Sequence, residues 1–532
     1  TKGDKTTAIG RSALGSQNFT TATDSYNTAV GYSAGLSVTT GTLNTLVGGL
    51  AGDAITTGTN NNAFGYDSLG ATTEGQFNNA FGEAALLSNT TGSSNIAMGG
   101  SALRNNTDRS NNTAIGESSL RENVNGARAT AVGSGSLQNQ NPSTDTDTYN
   151  VAVGYHAGND VTTGTESTLV GGLAGDALTT AVAQTAVGYN SLTSNTTGLY
   201  NTAIGRGALF AANITTGAGA YNVAVGNNAG VSVTTGTQNT LVGALAGDAL
   251  TDADFNVAVG LSALSADTLG SKSVAMGQGA LGVQNFTTAT DTFNTALGHF
   301  AGGSVTTGTQ NTLVGGEAGD ALTTGTENVA VGKGALTTDD VGFQSTAVGA
   351  GALTSQNIAS AASTYNSALG YQAGFYNITG TFNTYIGWRS GFGVSGNSNS
   401  HNTALGANSL NDVTTGSYNT CIGSLTGDAI TSGNNNVVVG YASDTSGATI
   451  TQAIVMGAGV TGGSNEVTFG SSTNKITSTF IGTPNWAHSS DERLKKNIQD
   501  IPLGLTFIND LRPVTYNWKG NHELDSSDKE LE

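Results

Sequence analysis

The sequence predicts an all-β protein: a parallel β-solenoid (β-roll) of 17-residue rungs wound as an elongated homotrimeric fibre, with a small α+β C-terminal segment. Three observations lead there. Composition is the first. Gly accounts for 78 and Pro for 4 of 532 residues, and 10% of residues are charged, against about 7%, about 5% and about 25% in ordinary globular domains. The second is a fixed spacing of glycines. The third is that the residues ahead of each such glycine alternate with the two-residue period of a strand. Collagen is excluded, because no Gly-X-Y period occurs. Simple disorder is excluded as well, because hydrophobic residues make up 37% and the net charge of −19 is spread over the whole chain.

The spacing works as a ruler. Gly10, Gly31, Gly48, Gly65 and Gly82 open a series that runs to Gly457 and Gly470; of its 26 intervals, 19 are 17 residues, five are 21, one is 19 and the last is 13. A second period of 72 residues, three 17-residue steps and one of 21, separates Gly154, Gly226, Gly298 and Gly370. Self-similarity of this kind is the signature of a repeat architecture. Duplication of a four-step block accounts for it.

Each step reads as one rung. Asn-Thr-Ala-Val (Asn27 to Val30) is typical of the segment before the glycine, and the residue next to it is large and apolar (Ile9, Val30, Val47, Phe64). The Ala before that falls on the opposite face. Three residues after the glycine comes Ala or Ser; four after it, Gly and Leu exchange in pairs (Gly35, Gly52, then Leu69, Leu86). Seventeen residues are too few for a helix plus a strand but suit short strands with tight corners. At about 4.8 Å per rung, 26 intervals make a rod about 125 Å long. So thin a coil encloses few side chains, and the Ala column opposite the Val/Ile column needs a surface to pack on. Two further copies around a three-fold axis supply it. Asn stands four before the glycine in 19 of 27 steps, which permits amide ladders along the rod.

The pattern Asn-x-Ala-[Val/Ile/Leu]-Gly, followed three residues later by Ala or Ser, resembles the YadA-like head repeats of trimeric bacterial adhesins. That resemblance covers about residues 1–470 and implies a left-handed parallel β-roll wound as a trimer. The usual step in that family is shorter than 17, so the corners here must be longer.

Residues 471–489 read as a linker, and residues 490–532 as a different object. Pro484, Pro502, Pro513, Trp486 and Trp518 cluster around this end of the chain. Ser490-Asp491 followed by Glu492 reads as a capped helix start, with Leu494, Ile498 and Ile501 on one stripe. Val514, Tyr516 and Trp518 alternate as a strand. The strings SDERLKKNI from Ser490 and LRPVTYNWK from Leu511 resemble the start of the endosialidase-type intramolecular chaperone. Such domains end many phage tail fibres and tailspikes, trimerise, and then cut themselves off. The resemblance implies Ser490 as nucleophile, Lys495 as the group that activates it, and cleavage of the Ser489–Ser490 bond. A complete domain of that family is longer than residues 490–532, which therefore correspond to its N-terminal part.

Several function classes are disfavoured at once. An acidic balance of 37 Asp+Glu to 18 Lys+Arg argues against nucleic acid or an anionic membrane as partner. Lone Cys421 rules out an internal disulfide framework, no run of about 18 apolar residues suits a bilayer, and the five scattered His show no metal-ligand spacing. No cofactor is expected. Because the chain opens at Thr1, any export signal or anchor would lie upstream of that residue. The reading that remains is a structural, receptor-binding fibre on a phage-type virion, joined upstream to a baseplate, with a host-surface glycan or protein as receptor. The alternative location is a bacterial cell surface, with an upstream anchor. Candidate contacts lie where the step grows to 21, in Gln17–Tyr26, Gln138–Tyr149, Phe210–Tyr221, Gln284–Phe293 and Gln356–Tyr365. Each ends in an aromatic ring (Tyr26, Tyr149, Tyr221, Phe293, Tyr365) that can stack on a sugar or plug the base of a longer corner. A glycan-cleaving tailspike is the enzymatic alternative. It needs two carboxyls about 5–9.5 Å apart, whereas the Gly-Asp-Ala acids (Asp53, Asp176, Asp248, Asp320, Asp428) mostly recur every fourth rung, about 19 Å apart. Ice binding through Thr ladders fails because the Thr pairs skip rungs, and calcium binding of the RTX type because its nonapeptide is absent.

Overall fold

The computed structural model describes residues 3–215, 218–481 and the backbone of 487–488. The expected helix at Ser490 and the strand through Val514–Trp518, and with them the α+β segment, lie outside the described residues. Among the described residues there is no helix. Twenty-seven short strands stack in one parallel ladder, one per rung, beginning with Thr7–Ile9, Thr28–Val30 and Thr45–Val47. Register follows the glycine ruler: Thr28 pairs with Thr45, Ala29 with Leu46 and Val30 with Val47. Toward the end the rung strands lengthen to Val437–Tyr441, Ile454–Ala458 and Glu466–Ser471. Lys475–Thr479 then turns back antiparallel against the last of them, so part of the expected linker is a strand.

The two faces of the rung strand are the reverse of the expectation. The middle residue, usually Ala (Ala29, Ala63, Ala80), is fully buried inside the coil, together with the column three after the glycine (Ala34, Ala51, Ser68). The large residue next to the glycine points outward: Ile9, Met98, Ile115 and Leu297 are exposed, and Val30, Val47 and Phe64 are half-buried. A 17-residue coil leaves room for a methyl group at mid-strand and no more, because Leu from the opposite wall, as at Leu69, Leu86 and Leu103, fills the rest.

That same limit explains the Gly/Leu exchange. Where mid-strand is Leu, the opposite wall is Gly on two successive rungs. A Cβ on Gly302 would lie 2.6 Å from Leu313 Cδ1, and one on Gly319 would lie 2.7 Å from Leu313 Cδ2. Leu46, Leu169 and Leu241 stand between glycine pairs in the same way, and Tyr385 does so between Gly374 and Gly391. Interior volume is therefore conserved by paired substitution. Leu313→Ala, which leaves a cavity between two glycines, is expected to cost about 2–5 kcal/mol; thermal melts of the two proteins measure it.

Besides the ruler glycine itself (Gly31, φ +145°), three positions in most rungs are left-handed: five before the glycine, two after it and four after it. Tyr26 (φ +50°), Ser33 (+55°) and Leu69 (+53°) are examples. At such a corner the peptide inverts, and N–H groups two residues apart bond to opposite neighbours. Leu43 N donates back to Ser25 O (2.7 Å), whereas Thr45 N donates forward to Asn61 O (2.9 Å). Buried asparagines reinforce this ladder. Asn44 Oδ1 accepts from Asn61 N at 3.0 Å, and Asn44 Nδ2 donates to Gly58 O at 2.9 Å; the motif repeats along the rod.

Candidate receptor-contact surface

Each 21-residue step inserts extra chain, and the inserts with a Gln share a plan. That Gln turns inward and takes a place in the amide ladder. Gln140 Oε1 accepts from Asn150 Nδ2 at 2.8 Å, Gln284 Oε1 from Asn294 Nδ2 at 2.8 Å and Gln356 Oε1 from Asn366 Nδ2 at 2.9 Å. Gln17 donates to Thr6 Oγ1 at 3.1 Å. In the Phe210–Tyr221 step, buried Ala212 stands there instead. Two residues then pair laterally with the preceding rung: Thr23–Asp24 with Gly3–Asp4, Thr146–Asp147 with Gly126–Ala127, and Thr290–Asp291 with Gly270–Ser271. The ring comes next, at the left-handed corner.

Tyr26, Tyr149, Tyr221, Phe293 and Tyr365 are 49–55% exposed, so none plugs the interior. Their faces are nonetheless not free. In three inserts a cation from the rung below lies over the ring and pairs with the insert's Asp. Lys5 Nζ is 4.8 Å from the Tyr26 centroid and 2.7 Å from Asp24. Arg128 is 5.7 Å from the Tyr149 centroid and 2.8 Å from Asp147. Lys272 is 5.2 Å from the Phe293 centroid and 2.6 Å from Asp291. Tyr221 stacks on Tyr200 at 5.2 Å, and Tyr365 on Phe382 at 5.0 Å. Sequence reasoning found the rings but missed Lys5, Arg128 and Lys272. Their signal was the 21-residue offset, which equals one rung at these steps. It also missed the continuation Phe382–His401–Tyr418, stacked at 4.8 and 4.6 Å within 6° of parallel.

The Gly-Asp-Ala carboxylates recur on separate rungs and do not pair with one another. Asp53, Asp176, Asp248 and Asp320 are half-buried corner residues; burial raises each carboxyl above its ordinary value, and a neighbouring acid (Asp67, Asp160 and Glu317 respectively) adds to the rise at Asp53, Asp176 and Asp320. Asp428 has a partner, buried Asp444, but the two are hydrogen-bonded to one another rather than separated. Asp444 also accepts from Ala429 N and Thr445 N, both at 2.7 Å. Burial first, then the Asp428 hydrogen bond, pushes its carboxyl up to about 7. A carboxyl whose folded value lies above its unfolded one favours folding at low pH, and the advantage disappears as pH rises to about 7. The last rungs should therefore be more protected from hydrogen exchange at pH 5 than at pH 8. Asp444→Asn should remove that difference.

Ser490 and Lys495 lie outside the described residues. A family model described as the chaperone of endosialidase matches residues 490–531. No curated protein matches the chain, and no solved structure does. The match covers a short C-terminal stretch behind the solenoid, and the two together fit a protein of the tail-fibre or tailspike type. That family is a self-cleaving intramolecular chaperone, so self-cleavage is the one reaction it suggests.

Proposed function

We propose that the chain is the shaft of a homotrimeric attachment fibre of the phage tail type, assembled by its C-terminal chaperone and carrying contacts for a host-surface receptor. The observation that carries this reading is the outward apolar column beside the ruler glycine. Ile9, Met98, Ile115, Ile204, Met276, Leu297, Leu369 and Leu405 are all exposed, and half-buried Val and Phe fill the rungs between. A continuous apolar stripe along about 125 Å of rod exceeds what single soluble proteins leave in water. Three identical chains around an axis cover it with one self-repeating contact. The YadA-like pattern in the rungs supports the same assembly. In the chaperone, Ser490 is the nucleophile and Lys495 its base; they would release the segment after Ser489 once, after assembly. Light scattering on the intact protein tests the trimer: the expected mass is about 159 kDa, three times 53.0 kDa. Met276→Glu with Leu297→Glu should weaken association. An ordered particle of one chain's mass would refute the assembly.

A further inference from the structure

A different face carries a second surface. Two residues after the ruler glycine, each rung is left-handed, and where the residue is Gly the next rung's side chain usually covers it. A Cβ on Gly135, Gly207 or Gly279 would meet His156 at 2.8 Å, Asn228 at 2.5 Å or Phe300 at 2.5 Å. Gly334 breaks the pattern, because the residue above it, Gly351, is itself a glycine, and Gly351 in turn is covered by Gln372, whose Cγ a Cβ there would meet at 3.3 Å. Above Gly334 there is no side chain from the next rung, and a Cβ there would meet only its own rung's Thr337 Oγ1, at 3.3 Å. The result is an open trough of about 340 Å³ walled by Lys333, Thr337, Thr354, Tyr371 and Gln372.

Beyond the trough's lining, the same column of side chains carries on into the next rung. Trp388, exposed like Tyr371, follows it in the same column. The Arg389 guanidinium lies 3.8 Å from the Phe392 centroid and 5.6 Å from that of Trp388, and its Nε has no hydrogen-bond partner. Lys333 and Arg389 stand three rungs apart, about 14 Å. Neither is ion-paired among the described residues, although Glu317 stands one rung below Gly334. Two unpaired cations, one in the trough wall and one a rung beyond it, stand out in a chain of net charge −19.

We propose that this trough and the rung beyond it, from Lys333 to Arg389, bind an acidic oligosaccharide lying along the rod. Tyr371 and Trp388 offer apolar ring surface to sugar faces. The threonine and glutamine side chains meet hydroxyls, and the two cations meet carboxylates, Arg389 in the bidentate manner that guanidinium favours. A peptide added as a strand does not fit. The floor's backbone is already spent on neighbouring rungs: Gly334 N donates to Gly316 O at 3.1 Å and Gly351 N to Lys333 O at 3.0 Å. Nor do two cations in an acidic rod suit a nucleic acid.

This rests on the receptor-attachment reading and names the receptor's chemistry. The test uses the full chain, its solution mass checked first, against a panel of soluble four- to six-residue oligosaccharides, half of them uronate-containing and half neutral. The expected result is binding to uronate members, weakened at least tenfold by Lys333→Glu and by Tyr371→Ala. Tyr66→Ala, in the same column far from the trough, should leave it unchanged. Binding to no uronate member, equal binding to neutral ones, or indifference to both trough variants overturns the proposal. Because the mass is read separately, any of these failures leaves the shaft reading intact.

Discussion

Gly243→Ala should be among the most damaging single substitutions in the rod, although it adds one methyl group. Gly243 has φ +136°, and a Cβ built there would lie 2.5 Å from the carbonyl oxygen of Gly260 on the next rung. That oxygen cannot give way cheaply, because the rungs are tied through backbone bonds such as Gly243 N to Val225 O at 2.7 Å. Holding an L-residue in this region costs about 1–3 kcal/mol, and forcing the rungs apart adds a similar amount, so a loss of about 3–5 kcal/mol is expected. Each rung contacts only its neighbours, so the damage should stay local. Hydrogen exchange should accelerate in Thr240–Val242 and Val257–Val259 and stay normal several rungs away. Gly49→Ala is the control: its Cβ would meet nothing nearer than Tyr66 Cδ2 at 3.6 Å, with no left-handed φ to forbid it. Equal losses from the two substitutions would show that the ruler glycines are not there for the close approach.

The ruler, the rung strands and their register were legible because each depends on one chemical constraint that repeats: a glycine where the next backbone passes too near for a side chain. The faces were harder. Val30 and Ala29 alternate in any strand, and alternation cannot say which faces in. Ala29 is inside because the opposite wall supplies Leu14 and Leu69-type residues that leave no more room. The paired Gly/Leu exchange was visible as a pattern, but its cause was not. It became clear once Leu313 was found between Gly302 and Gly319. Corners such as Tyr26 and Leu43 carry no turn-forming residue, so nothing local marks them as left-handed. They are held by hydrogen bonds to the rungs on either side rather than by local preference. On the candidate contact surface the rings were legible as residues. Their cationic cover, Lys5, Arg128 and Lys272, was not, because contact across rungs depends on an offset that only the folded ladder defines. The trough behaves likewise: Gly334 and Gly351 are ordinary in a glycine-rich chain and matter because they are stacked.

The buried amide ladder yields the second large effect. Asn239 is fully buried, receives Asn256 N on its Oδ1 at 3.0 Å, and donates from Nδ2 to Ala253 O at 2.7 Å. Asn239→Ala strips both groups of their partner, and neither can reach water. At about 1–3 kcal/mol for each orphaned group, roughly 2–6 kcal/mol is at stake. The protein itself shows how much of this a smaller residue can keep. Ser167 occupies the same ladder position, and its Oγ accepts from Gln184 N at 3.3 Å. Where Ser273 stands in the ladder, Gln284 reaches in and donates to its Oγ at 2.9 Å. Asn239→Ser should therefore recover the acceptor's share of the loss and leave Ala253 O unpaired. In thermal melts the order expected is wild type, then Asn239→Ser, then Asn239→Ala, with exchange at the Asn256 amide fastest in the alanine variant. If serine and alanine prove equally harmful, volume rather than hydrogen bonding governs the column, and the ladder would be a consequence of the coil rather than one of its causes.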